Sequence, residues 1–270
     1  AIMSSSISDD GETIVVSEGL MDAPKGANSS RARVFDWIGT DWVQRGVAID
    51  GEHSNDVMTQ YGISADGNTI LTNSRLNDDG GNYVGQARVF DWDGSAWVQR
   101  GFAFNEAADG DNIRSLLSKN GDSVAITAGT ANATLGIDEK KGTTTIYDWN
   151  GSSWTQRGNA IEGLEDGDEA RVSGLTSDMN TISISSTVFD EGGAGDTDKG
   201  HVRVFDWDGS SWTQRGAAFV GDAEDSLGGG ALTEDGMTLV TGSMNRTIDG
   251  TAQAGKASVW VWNGSTWTKK

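Results

Sequence analysis

The sequence has no cysteine and only one proline. The lack of cysteine excludes disulfides, thiolate nucleophiles and cysteine-ligated metals within these 270 residues. No apolar run reaches the length of a bilayer-spanning segment, so membrane insertion is not expected. Basic residues are also few, with 20 Lys and Arg against 40 Asp and Glu, and the net charge of −20 repels nucleic acid phosphate. Nucleic acid is therefore not an expected partner.

Residue patterns that carry catalysis are scarce as well. The chain has two histidines, His53 and His201, as candidate bases near neutral pH. No Gly-rich phosphate loop and no nucleophile elbow follows a strand-to-helix turn. The sequence therefore predicts a protein that is not an enzyme.

The most prominent feature is a repeated segment, which first reads VFDWIGTDWVQRG from Val34 to Gly46. Similar segments begin at Val89, Ile146, Val204 and Val259. Their first tryptophans, at positions 37, 92, 149, 207 and 262, are 55, 57, 58 and 55 residues apart. A period of this length is typical of β-propellers and repeat arrays, whose units share one core with their neighbours.

Each repeat predicts four antiparallel strands, named a to d. In the second copy, Asp66-Gly67 separates strands a and b, and Asp93-Gly94 separates strands c and d. An Asp-Gly pair between β-branched runs is a strong hairpin signal. In the fourth copy Met179-Asn180 replaces the turn glycine, and we expect Asn180 to take the left-handed conformation.

The fold prediction is an all-β, five-bladed β-propeller with four antiparallel strands per blade. It forms a single domain over residues 1–270, with blades at about 1–46, 57–101, 113–158, 171–216 and 228–270. Small residues in the strands a suit a narrow axis and favour a closed ring. A spiral and a fragment of a larger ring are the alternatives.

Strands c and d carry paired aromatic and charged residues. We expect Phe35 to lie opposite Trp42 across the hairpin, and Asp36 to accept hydrogen bonds from Arg45. In the last copy Val261 and Lys270 replace the acid and the arginine together, as a structural pair predicts. Packing between blades is the leading interpretation of the tryptophans. The alternative is stacking on sugar rings by the second tryptophan of each copy: Trp42, Trp97, Trp154, Trp212 and Trp267.

Clustered carboxylates recur in the linkers between strand d and the next strand a. Such oxygen ligands suit Ca²⁺, although no linker has the alternating D-x-D-x-D-G pattern of a calcium loop. A solvated acidic rim is the leading interpretation, and calcium binding is the alternative. The candidate metal ligands are Asp109, Asp111, Asp166, Asp168, Asp222 and Asp225.

The repeat pattern resembles the FG-GAP-like repeat family, which is related in architecture to the integrin α-subunit propeller. It is carried by GISADGNTI from Gly62 to Ile70 and by the segment from Ala87 to Gly101, and all five copies are covered. Integrin propellers carry D-x-D-x-D-G calcium loops, whereas the turns here are too short, so the resemblance does not imply calcium. The blade count is similar to that of tachylectin-type lectins, which bind amino sugars.

The loops between strands b and c are long and differ from copy to copy. Variable loops on a rigid scaffold favour partner binding. We therefore expect a non-enzymatic, extracellular or surface-exposed propeller for adhesion or assembly, with a protein partner or self-assembly. The alternative is a lectin with quasi-equivalent glycan sites between blades. The chain begins without the basic and apolar regions of a signal peptide, so the expected export signal lies outside it.

Overall fold

The computed structural model describes residues 2–18, 29–53, 56, 58–74, 85–105, 113–128, 141–165, 167–190, 198–245 and 254–270. The long loops between strands b and c lie mostly outside these residues. The described residues are built from strands and contain no helix, and hence no helix that could cross a membrane. By compactness the chain divides into two units, Ala1–Ala128 with Ile146–Arg157, and Gly129–Thr145 with Gly158–Lys270.

The strands form five antiparallel sheets. The first contains β1 (Ile2–Ile7), β2 (Thr13–Glu18), β3 (Arg31–Trp37), β4 (Trp42–Gln44) and β5 (Ile49–Asp50). The second contains β6 (Met58–Ile63), β7 (Thr69–Ser74), β8 (Gln86–Trp92), β9 (Trp97–Gln99) and β10 (Phe104–Asn105). The third contains β11 (Arg114–Leu117), β12 (Ser123–Ala128), β13 (Thr143–Trp149), β14 (Trp154–Gln156) and β15 (Ile161–Glu162).

The fourth sheet contains β16 (Arg171–Leu175), β17 (Thr181–Ser186), β18 (His201–Trp207), β19 (Trp212–Gln214) and β20 (Phe219–Val220). The fifth contains β21 (Leu227–Leu232), β22 (Thr238–Ser243), β23 (Lys256–Trp262) and β24 (Trp267–Lys269). In every sheet, strands a to d pair in chain order. The prediction of five four-stranded antiparallel blades is therefore confirmed. The two-residue strands that add to strand c in the first four blades were not predicted.

The hydrophobic core lies between consecutive blades. Val15 and Val34 of the first blade pack with Met58, Ile70 and Phe90 of the second, and all five side chains are buried. A second cluster joins blades two and three in the first unit, and a third joins blades four and five in the second unit. The apolar side chains on one face of a blade are therefore removed from water only when a neighbouring blade covers them.

The a–b hairpins share one turn, in which a hydroxyl and a carboxylate replace missing backbone partners. The Ser64 hydroxyl donates to Asp66 at 2.6 Å and accepts from the Thr69 amide at 2.9 Å. The Gly67 amide donates to the Ser64 carbonyl at 3.0 Å. In the fourth blade Met179, with φ of 52°, makes the bond that Gly67 makes. The prediction that Asn180 is left-handed is wrong. The hydrogen bonds of the turn place Met179 at the left-handed position, and burial of the Met179 side chain offsets the backbone strain.

The register of the c–d hairpin also differs from the prediction. Trp37 pairs with Trp42, and their ring centroids are 5.5 Å apart, whereas Phe35 pairs with Gln44. The expected Phe35–Trp42 pair is wrong because the connecting loop has four residues, closed by a hydrogen bond of 3.0 Å from the Ile38 amide to the Asp41 carbonyl. The tryptophans consequently meet at the end of the hairpin.

The predicted pairing of acid and arginine is confirmed in four blades. Asp91 accepts from Arg100 Nε at 2.5 Å and from the Thr69 hydroxyl at 2.9 Å. Arg100 also donates to the Gly121 carbonyl and the Asp122 carboxylate of the next blade, at 2.8 and 2.9 Å. The equivalent pairs in the other blades are Asp36–Arg45, Asp148–Arg157 and Asp206–Arg215. Each pair ties strands c and d together.

Replacing Arg100 by methionine is expected to destabilise the fold measurably. The Arg100 side chain is only 12% exposed, and its loss removes the donors that it supplies to Asp91 and to the Gly121 carbonyl. Since Asp91 is about a third exposed, we expect a loss of about 2–3 kcal/mol in the free energy of unfolding. Lys119→Met is the matched control, because the Lys119–Asp9 pair is about half exposed on both sides. It should cost less than about 1 kcal/mol in denaturant titration, and equal losses would contradict a structural role for Arg100.

Candidate functional site

The tryptophans proposed as sugar platforms are placed unequally. Trp154 is 5% exposed, and its indole N–H donates to the Arg100 carbonyl at 2.8 Å. Trp97 donates to the Arg45 carbonyl at 3.0 Å, and Trp267 to the Arg215 carbonyl at the same distance. Trp212 is half-buried, whereas Trp42 is 41% exposed. Four of the five candidate side chains therefore present little ring surface to a ligand.

The candidate metal ligands do not form one group among the described residues. Asp109, Asp111 and Asp166 lie outside the described residues. Asp225 is buried and accepts a hydrogen bond from the Asp222 amide at 3.2 Å, and Asp222 is exposed. Within the part of the chain that the structure describes, no three acidic or histidine side chains are grouped closely enough to hold a metal. Calcium binding stays a prediction.

Asp168 lies in a buried pair with His201. The Asp168 carboxylate accepts from the Leu164 amide at 2.6 Å and is 2.9 Å from His201 Nε2, and neither side chain of the pair is exposed. Burial alone raises the pKa of Asp168, but the hydrogen bond and the charge of His201 outweigh it, and the pKa lies below its ordinary value. The ring of Phe189 covers His201 edge-on at 4.9 Å. Without access to solvent, the pair serves packing rather than catalysis.

Asp168 and Asp225 share a role with Asp56 that sequence reasoning missed. Asp56 accepts the amides of Glu52 and His53 at 2.7 and 2.9 Å, so each aspartate closes the linker turn before a strand a. The signal was available in the sequence. Each of these aspartates stands two residues before a buried apolar residue at the start of the blade, which is Met58, Ala170 or Leu227.

An open cavity of about 350 Å³ lies in the fifth blade. Its aromatic side is formed by Phe219 and Trp260, whose ring centroids are 4.8 Å apart. The remaining lining is polar and includes carboxylates, ammonium groups and hydroxyls: Asp222, Asp225, Lys256, Lys269, Thr241, Ser243 and Ser258. Concave sites of this size with a few convergent polar groups are the usual form of small-molecule sites.

At this cavity the fifth blade differs from the second and fourth blades, which carry an arginine at the equivalent position. In blade two, Arg88 stacks over Phe90 at 5.3 Å and donates to the Asp50 carbonyl at 2.9 Å. In blade four, Arg203 stacks over Phe205 at 5.2 Å and donates to the Glu162 carbonyl. Ser258 occupies the equivalent register position in blade five, opposite Thr241 of strand b. The volume that a guanidinium fills in blades two and four is therefore open there.

A second change supplies charge at this cavity. Lys269 stands where blades one to four carry glutamine, and its Nζ lies 5.8 Å from the centroid of the Trp260 ring. The Trp260 indole N–H donates to the Thr241 hydroxyl at 3.1 Å, which fixes the ring. The sequence signal for this site was the change from Arg-Val-Phe in the second and fourth copies to Ser-Val-Trp in the last copy.

Comparison with known proteins places this geometry among propellers. No family model matches the sequence, and no curated protein matches it. The β-propeller domain of the Trilobed protease from Pyrococcus furiosus, which has an open velcro topology, is similar over 100% of this chain and 70% of its own, with 10% identity and a TM-score of 0.59. The chain is a five-bladed β-propeller.

Two other similar propellers carry the names of enzymes. The periplasmic gluconolactonase of Pseudomonas aeruginosa matches over 97% of this chain and 69% of its own, with 14% identity and a TM-score of 0.58. A protein of Bacteroides uniformis, provisionally named a 6-phosphogluconolactonase, matches over 98% and 69%, with 13% identity and a TM-score of 0.58. At these identities the likeness shows the fold alone.

The finding corrects the functional prediction. The chain was expected to be a non-enzymatic binding or structural propeller because no catalytic motif appears in its sequence. Propellers of similar structure include proteins named as lactonases. The expectations of no enzyme activity and of an adhesion role are therefore wrong. The premise failed because a propeller gathers site residues from separate strands and linkers, which leaves no short motif.

Proposed function

We propose that this propeller hydrolyses a small polyhydroxylated lactone in the blade-five cavity. The observation that carries the proposal is the opening at Ser258, where blades two and four hold a stacked arginine. The names of two similar propellers suggest the substrate class. A cavity of about 350 Å³ accommodates a single sugar-acid ring.

The lining suits the chemistry of such a substrate. Carboxylates and hydroxyls around the cavity accept and donate hydrogen bonds to substrate hydroxyls. Trp260 and Phe219 offer a flat apolar surface to the ring carbons. Lys256 and Lys269 favour negative charge, either on a substrate phosphate or carboxylate or on the oxygen of the reacting carbonyl.

The reaction assigns different roles to the charged side chains. Asp222, at the exposed side of the cavity, accepts a proton from water as the water oxygen bonds to the lactone carbonyl carbon. The ammonium groups stabilise the resulting oxyanion. The ring carbon–oxygen bond then breaks, and the departing oxygen takes the proton, which leaves a hydroxy acid. No metal or redox partner is required to balance these steps.

Hydrolysis of glucono-1,5-lactone, followed by acid release in a pH-stat, tests the proposal. We expect a rate above the uncatalysed one, a kcat about 100-fold lower in Asp222→Asn, and a higher KM in Lys269→Gln, which restores the residue of the sister blades. Lys119→Gln, at an exposed lysine on another blade, is the control and should match the wild type. A wild-type rate no greater than that of buffer would disprove the proposed activity.

We also infer that the blades are of the FG-GAP-like type. The support is the Gly62–Ile70 hairpin with its Ser64–Asp66–Thr69 hydrogen bonds, followed by the Trp-containing c–d hairpin. Superposing the second blade on FG-GAP-like and lactonase blades tests this inference. A closer match of turn register to the lactonase blades would count against it.

A further inference from the structure

Three groups hold the guanidinium of Arg88 in the second blade. Its central carbon lies 5.3 Å from the centroid of the Phe90 ring, and its N–H groups donate to the Asp50 carbonyl at 2.9 Å and to the Glu52 carboxylate at 3.1 Å. Arg203 of blade four makes the equivalent ring and carbonyl contacts. An aromatic face, a carbonyl and a carboxylate suit the flat face and the N–H fork of a guanidinium. We call them the guanidinium-binding groups.

The fifth blade keeps the aromatic ring of this set and lacks the arginine. Trp260 occupies the strand position of Phe90, and Ser258 occupies that of Arg88. The Trp260 indole N–H donates to the Thr241 hydroxyl at 3.1 Å, which fixes the ring beside the open position. Tryptophan attracts a cation to its face more strongly than phenylalanine does. The aromatic contact that this position offers to a guanidinium is therefore retained.

The linker before blade five keeps the carbonyl and the carboxylate. Val220 of β20 pairs with the first residue of a strand c, as Asp50 of β5 does. Asp222 follows Val220 by two residues, as Glu52 follows Asp50. Val220 and Asp222 both line the cavity of about 350 Å³. All three guanidinium-binding groups of blade two therefore have an equivalent at this cavity.

The cavity lies on the side of blade five that packs against blade four. Leu239 and Trp260 on that side pack with Val202 and Val204 of the fourth blade. Both blades belong to the second unit, within its segment Gly158–Lys270. The open position is therefore set by packing within one unit.

We propose that the blade-five cavity binds a guanidinium group of a ligand, in the position that an arginine of the chain fills in blades two and four. The guanidinium stacks on Trp260, and its N–H groups donate to the Val220 carbonyl and to the Asp222 carboxylate. A free guanidino compound and the arginine side chain of a peptide share this chemistry. Either ligand excludes the lactone, because it occupies the same space and the Asp222 carboxylate.

Two lysines weaken this binding without preventing it. Lys256 and Lys269 also line the cavity and repel a further cation, whereas Asp222 and Asp225 attract one. Lys269 stands where blades one to four carry glutamine. Replacing Lys269 by glutamine should therefore strengthen guanidinium binding, which is opposite to its expected effect on the lactone.

Isothermal titration calorimetry with ethylguanidinium, in the absence of lactone, tests the proposal. We expect saturable binding, and an affinity at least about 10-fold lower for ethylammonium, which has the same charge without the planar fork. Free L-arginine and N-acetylarginine amide then distinguish a free amino acid from the side chain of a peptide, because only the free amino acid carries an α-carboxylate. The absence of saturable binding for all three guanidino compounds would overturn the proposal, as would equal affinity for ethylammonium.

Variants of the cavity assign the binding to this position. Ser258→Arg, which supplies the guanidinium covalently, should abolish binding, and Asp222→Asn should weaken it about 10-fold. Lys269→Gln should strengthen it about 2–5-fold. Asp208→Asn is the matched control, because it removes the same charge from an exposed hairpin of blade four where two other blades carry asparagine, and its affinity should equal that of the wild type. Wild-type affinity in both Ser258→Arg and Asp222→Asn would contradict the assignment.

Guanidinium binding and lactone hydrolysis can fail separately. The calorimetry contains no lactone, so a protein that does not hydrolyse lactones still tests the guanidinium proposal. Where hydrolysis is observed, ethylguanidinium should raise the KM for the lactone and leave kcat unchanged, since the two ligands share the cavity. An unchanged KM at saturating ethylguanidinium would show that the guanidinium binds elsewhere and would overturn the proposal.

Discussion

Gly46→Ala is expected to lower the free energy of unfolding by about 2–5 kcal/mol, because backbone strain and overpacking add at this position. Gly46 has a φ of 70°, which costs any other residue about 1–2 kcal/mol. Its added Cβ would lie 2.6 Å from the Trp92 ring, so the ring must also move. Overpacking of this kind costs about 1–3 kcal/mol.

Gly39→Ala separates the two contributions. Gly39 also has a positive φ, of 90°, but a Cβ there meets nothing within 4 Å. Only the backbone strain of about 1–2 kcal/mol remains. Denaturant titration of both variants should therefore show the larger loss for Gly46→Ala. Equal losses would mean that the contact of Arg45-Gly46 with the Trp92 pair does not hold the blades together.

Much of the scaffold could be predicted from the sequence because local residue patterns specify it. The tryptophan spacing of 55 to 58 residues, the Asp-Gly turns and the alternating strands specify blades without knowledge of any neighbour. The joint loss of the acid and the arginine at Val261 and Lys270 likewise predicted the Asp91–Arg100 type of pair. These features depend on residues that are close in the chain or repeat at a fixed period.

The details that were wrong depend on loop geometry. The Trp37–Trp42 pairing follows from a four-residue loop, whereas the sequence was interpreted with a two-residue turn. Met179 takes the left-handed position because the turn around Thr176 and Asp178 fixes it. Intrinsic preference favoured Asn180, but hydrogen bonds and burial outweighed it.

The candidate site could not be predicted because it depends on what a neighbouring element leaves open. Ser258 is one serine among many in the sequence, and only the stacking of Arg88 and Arg203 shows that a larger side chain fits at its position. The acidic linkers were interpreted as a solvated rim or, alternatively, as calcium ligands, and the role of Asp168 and Asp225 in accepting backbone amides was not foreseen. Composition cannot distinguish these roles, since both place carboxylates near loops.

Ser258→Arg is expected to abolish lactone hydrolysis while the fold is retained. The new guanidinium should stack over Trp260 and donate to the Val220 carbonyl, as Arg203 stacks over Phe205 and donates to the Glu162 carbonyl. The cavity would then be filled by a side chain that two sister blades already accommodate. The thermal midpoint should stay equal or rise, because a cavity is removed and a cation–π contact is added.

The most direct measurement is therefore lactone hydrolysis by Ser258→Arg beside Ser258→Ala. We expect a loss of at least about 100-fold in kcat/KM for the arginine variant, with a thermal midpoint equal to or above that of the wild type. Ser258→Ala, which leaves the cavity open, should stay close to the wild type. A folded Ser258→Arg protein that hydrolyses the lactone at the wild-type rate would contradict the assignment of the blade-five cavity as the active site.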